Sequence, residues 1–199
     1  MEIETHPSID DFFGDLLDEA LRARRVELAD TSRAYLVQLF GDFSRAEGLH
    51  RARPEDPGAP TLAWLYERAH FGAPGERFDA WRHLGDVALM VSSLFGAYLE
   101  RRRNLVGVDY YVRMGAGAYV SAAAYARRSG FGPVLDELGH KFRELVEVLT
   151  RVGEATTLPV ARGIERLYER WVEHPGQDDL QVRLGRLGAA PVMVGGGTA

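Results

Sequence analysis

The sequence predicts an all-α protein: one domain spanning residues 1–199, folded as a bundle of about seven or eight helices around a buried central helix near 76–102. Three observations carry that expectation. Apolar residues recur at three- and four-residue spacing along most of the chain, cap residues bracket the periodic stretches, and no segment alternates with period two between hairpin turns.

Taken in order, Ser8 is a candidate N-cap with Asp11 in the capping-box position. Ile9, Phe12, Phe13, Leu16, Leu17, Ala20 and Leu21 then form one apolar face. A second helix runs from Asp30 or Thr31 to Glu47, with Tyr35, Leu36, Leu39, Phe40 and Phe43 inward and Gly48 placed to stop it. Residues 48–60, GLHRARPEDPGAP, read as a long loop. Thr61 caps a short helix through LAWLYERAHF, and the longest pattern follows from Gly75 to Arg102, apolar almost all round in its middle and hence central. Asn104 and Gly107 close it, and Asp109 is the expected cap of DYYVRMGAGAYVSAAAY. One amphipathic helix is expected from Pro133 to Val152 and another after Pro159, with Ile164, Leu167, Tyr168, Trp171 and Val172 inward. Asp178 to Leu187 suits a short helix, and 189–199, ending GGGTA, a flexible tail.

Composition excludes several functions. A net charge of −5 gives no basic field for nucleic acid, and the arginine clusters Arg22, Arg24 and Arg25, Arg101 to Arg103, and Arg127 and Arg128 fall near helix C-termini, where cations complement the dipole. Of the 24 basic residues only Lys141 is lysine, a bias typical of a high-GC bacterial genome. Without cysteine there are no disulfides, thiolate metal sites or thiol nucleophiles, which permits a reducing, cytoplasmic setting. The acidic start MEIETHPSIDDFFGDL lacks a secretion signal. VALMVSSLFGAYL, residues 87–99, falls short of the roughly 20 apolar residues a membrane span needs, so no span is expected.

Little in the sequence points to catalysis. Gly115-Ala-Gly117 lacks the third glycine of a dinucleotide loop, which is Val120 here, and no strand precedes it; no serine sits on a Gly-x-Ser-x-Gly elbow. His83 and Asp86 are spaced as a helical pair that could act as acid and base, but such pairs are more often structural. Glu67-Arg-Ala-His70 and Glu137-Leu-Gly-His140, with Glu27 and Glu100, resemble the carboxylate and imidazole box of ferritin-like di-iron bundles. Their directions disagree with it. His140 falls opposite the Leu138, Phe142, Leu145 and Leu149 face, and Glu67 lies roughly 150° from the buried side of its helix. No metal or other cofactor is expected.

The informative polar pattern is on the central helix, where Asp79, Asp86, Ser93 and Glu100 repeat every seventh position. Asp86 falls in the apolar middle and needs a donor, for which Arg113, Tyr110 and Tyr111 on the next helix are the candidates. Asp86, Ser93, Tyr111 and Arg113 are therefore the candidate ligand-binding residues. On that next helix Gly115, Ala118 and Ala122 form a smooth strip, a seam for close helix packing.

These features favour a non-enzymatic binding or scaffold protein with a small apolar ligand pocket, its partner a second copy or another protein. A metal- or tetrapyrrole-dependent enzyme in the bundle is one alternative. An assembly component docking through its C-terminal tail is the other.

Overall fold

The computed structural model describes residues 8–50, 62–101, 107–127 and 130–156, which form seven α-helices and no strands. They are α1 (Ile9–Arg24), α2 (Asp30–His50), α3 (Leu62–Phe71), α4 (Pro74–Arg101), α5 (Val108–Tyr125), α6 (Phe131–His140) and α7 (Phe142–Thr156). The stretches read above as a helix after Pro159, a helix from Asp178 and a tail at 189–199 lie outside the described residues. None of the described helices is long and apolar enough to cross a membrane.

The start of α1 follows its sequence signal. Ser8 Oγ accepts from the Asp11 amide at 3.1 Å, and the Asp11 carboxylate accepts from the Ser8 amide at 3.1 Å, a reciprocal capping box. At the other end Arg25 takes the left-handed conformation, φ 57°. Its amide reaches the Arg22 carbonyl, and that of Val26 the Leu21 carbonyl, which closes the helix without glycine.

Besides shifts of one or two residues at the ends of α4 and the start of α6, four boundaries differ from the sequence reading. α2 continues through Gly48 to His50, since glycine ends a helix only where the chain turns left-handed and otherwise costs about 1 kcal/mol against alanine. The loop expected at 48–60 therefore starts later, and 51–61 lie outside the described residues. Gly107, not Asp109, is the N-cap of α5; Asp109 lies in the first turn and bonds Arg143 of α7 at 2.8 Å. The expected helix from Pro133 to Val152 is two helices broken at Lys141. Three hydrogen bonds account for that break: Lys141 Nζ donates to the Glu27 carbonyl at 2.6 Å and to Glu137 Oε1 at 2.9 Å, while Glu137 accepts the Ala29 amide at 3.2 Å. The α6–α7 corner is thereby pinned to the α1–α2 turn. Last, α7 runs past Val152 to Thr156, with Gly153 packed on Leu94 of α4.

One apolar cluster joins faces of α1, α2, α4, α5, α6 and α7. α4 is the central helix that its pattern predicts, buried continuously from Leu84 to Ser93. α5 packs closely along it. A Cβ on Gly115 would lie 2.8 Å from the Ala88 Cβ, and one on Gly85 would lie 2.5 Å from the Tyr119 ring, so the two helices run antiparallel with glycines admitting close approach from both sides. The seam also takes a third helix, because the same Gly115 Cβ would sit 2.2 Å from Cζ of Phe142 on α7. α3 is held differently, resting on α4 through Leu65 and Ala69.

Candidate functional site

Three regions carry unusual chemistry: a polar group buried in the core, a cleft beside it, and an exposed cluster of rings.

Asp86 is the buried group, 5% exposed in the apolar middle of α4. An ionised carboxylate there is costly without donors, and the fold brings donors from three helices. Tyr35 of α2 donates to Oδ1 at 2.5 Å, Tyr119 of α5 donates to the same oxygen at 2.8 Å, and Arg82, one turn earlier on α4, reaches Oδ2 at 3.4 Å. Burial holds the Asp86 carboxyl above the usual carboxylate range, against the opposing pull of the Tyr35 hydroxyl, the Arg82 guanidinium and the Tyr119 hydroxyl. Burial and the facing carboxylate likewise raise both phenols. The Tyr35 and Tyr119 rings meet edge to face at 6.5 Å, so apolar packing encloses the group.

The donors expected from the sequence are not the ones used. Arg113 is exposed, and its Nε donates to the Asp109 carbonyl at 3.3 Å on its own helix. Tyr111 is fully buried, and Tyr110 packs on it edge to face at 5.8 Å. The register explains the substitution: with Tyr119 against Gly85, Tyr111 stands two turns away along α5, toward the level of Ser93. Ser93 turns its hydroxyl back onto the Leu89 carbonyl at 2.7 Å, a local bond within α4. Of the four candidate residues, then, only Asp86 lies in the network. Tyr35, Tyr119 and Arg82 were missed, and Arg82 was detectable as the i−4 partner on the same helix.

The di-iron resemblance disperses in the same way. Glu27, Glu67 and His140 are exposed. His70 and His140 each place Nδ1 at a carbonyl of their own helix, Tyr66 at 3.0 Å and Asp136 at 2.8 Å. Among the described residues no group of three or more acidic or histidine side chains is placed to hold a metal ion.

Beyond Arg82 an open cleft of about 550 Å³ separates α3 from the first turns of α4. Its walls include Leu65, Arg68, Glu76, Asp79, Ala80 and Arg82. Arg68 and Glu76 pair across it at 2.6 Å, and Glu76 also accepts the Ala73 amide at 3.2 Å. Pairing and that backbone bond lower the Glu76 carboxyl, so it stays ionised.

Outside the cleft lining, aromatic rings gather on α3 and α4. Tyr66 and His70 lie 4.2 Å apart, His70 and Trp81 4.7 Å, Tyr66 and Trp81 6.1 Å, and His70 and Phe71 6.1 Å. Phe71 is 82% exposed and Tyr66 half exposed. Large apolar side chains exposed together, unlike single ones, mark a contact surface. No known family, curated protein or solved structure matches this chain.

Proposed function

We propose that this chain is a non-enzymatic helical binding protein that self-associates through the aromatic flank of α3 and α4. The observation that carries the reading is the contiguous group of Tyr66, His70, Phe71 and Trp81 at the surface, with Phe71 82% exposed. The polar group in the core supports it indirectly, because Asp86 is satisfied by side chains of the chain itself.

A second copy suits this flank for an electrostatic reason. The two helices that carry the rings also carry opposite charges, Glu67 exposed on α3 and Arg77 half-buried on α4, which a two-fold contact can pair between copies. A rim of acids alone, on a chain of net charge −5, would repel its own copy.

Replacing Phe71 by Glu tests the proposal. Sedimentation velocity over a concentration series should show reversible association of the native chain and its loss in Phe71→Glu. Thermal unfolding of the dilute variant should stay near native, because a side chain this exposed contributes little to the monomer fold. Association that survives Phe71→Glu and Tyr66→Ser together would put the interface elsewhere.

A further inference from the structure

The walls of the α3–α4 cleft include none of Tyr66, His70, Phe71 and Trp81, and its charges select a kind of ligand. Arg68 and Glu76 neutralise one another at 2.6 Å and burial favours the neutral form of His83 in the same wall, which leaves Asp79 and Arg82 as the charged groups open to an occupant. Asp79 is exposed and makes no ion pair or hydrogen bond of its own among the described residues. Arg82 is half-buried: its contact to Asp86 is 3.4 Å long, Asp86 already accepts two tyrosine hydroxyls, and the Tyr35 hydroxyl and the Asp79 carboxylate also act on the guanidinium. A guanidinium carries five N–H donors, so Arg82 can bind an anion in the cleft without orphaning Asp86.

A simple organic anion fits poorly, since behind and beside Arg82 it would meet the carboxylates of Asp86 and Asp79. A simple amine would meet Arg82. A molecule bearing both charges gains at both ends. Asp79 and Arg82 are three residues apart on one helix, so their Cβ atoms are about 5–6 Å apart, within reach of an ammonium and a carboxylate on adjoining carbons. Leu65 and Ala80 supply an apolar wall, and about 550 Å³ is within the range of small-molecule sites. We infer that the cleft binds a free α-amino acid with an apolar side chain, its carboxylate on Arg82, its ammonium on Asp79 and its side chain against Leu65 and Ala80.

Calorimetric titration of the full chain tests this with L-leucine and L-phenylalanine, beside N-acetyl-L-leucine, which lacks the ammonium, and L-leucinamide, which lacks the carboxylate. At least one free amino acid should bind saturably at one site per chain, and the two blocked forms about tenfold or more weaker than L-leucine, the loss of one charged hydrogen-bonding group. Asp79→Asn, an exposed change that leaves the core alone, should weaken binding by about tenfold. Arg82→Gln should do the same, its helical content checked by circular dichroism because it borders the Asp86 network. Absence of saturable binding by both amino acids overturns the proposal. Equal binding of the N-acetyl form, or native affinity in Asp79→Asn, overturns it too.

Discussion

Gly115→Leu is expected to abolish cooperative folding or to lower the urea midpoint severely, and even Gly115→Ala to cost about 2 kcal/mol, the scale of forced overpacking. The first added carbon would lie 2.2 Å from the Phe142 ring and 2.8 Å from the Ala88 Cβ. Neither neighbour can yield cheaply. Phe142 is 1% exposed and packed against Tyr119 at 5.8 Å, and Ala88 belongs to the central helix. Gly117, two residues on, reverses the sign. A Cβ there meets nothing within 4 Å, so Gly117→Ala should raise stability by about 0.5–1 kcal/mol through helix propensity and a less flexible unfolded chain. Equal effects at the two positions would show that α5 is not seated by a close seam.

Asp86→Ala should cost about 3 kcal/mol in urea unfolding, because the Tyr35 and Tyr119 hydroxyls and the Arg82 guanidinium all lose an acceptor. Asp86→Asn keeps a carbonyl oxygen for the tyrosines and separates charge from hydrogen bonding. Four titratable or charged groups face the carboxyl: Arg82 and His83 on α4, Tyr35 on α2 and Tyr119 on α5. Burial raises the folded-state value of Asp86, so the folded protein holds the proton more tightly than the unfolded chain. The contribution of that proton to stability is complete below the ordinary carboxylate range, about pH 4, and is lost as pH rises through the raised value. Relative to the native chain, Asp86→Asn should therefore gain stability as pH rises from about 4 through the raised value. A difference that stays constant, or moves the other way, would mean that the hydrogen bonds outweigh desolvation.

What the sequence made legible was the part written in local chemistry. The Ser8 and Asp11 capping box, the apolar stripes and the glycine–alanine strip of α5 each follow from spacing within one helix; among the described residues the structure keeps the box, the strip and most of each stripe, with Phe12 left exposed. The need of Asp86 for donors was equally local, since its apolar neighbours are on its own helix. Which donors arrive depends on how far α5 slides along α4 and on which face of α2 meets them, and no single-helix pattern carries either quantity. A shift of two turns separates Tyr119 from the expected Tyr111. The Lys141 corner escaped for a similar reason: the apolar stripe runs on from Leu138 to Leu149, while the contacts that account for the break come from Glu27 and Ala29, more than a hundred residues away. The exposed rings of α3 could not be told from core rings until the helices were packed.

The central claim is that the chain's polar core is architectural and that its binding surface is the ringed flank of α3 and α4. Sedimentation equilibrium of the unmodified chain tests it most directly. A mass rising with concentration to twice that of one chain, and remaining at one chain in Phe71→Glu, is the result expected. A native chain that stays at the mass of one copy throughout would contradict the account.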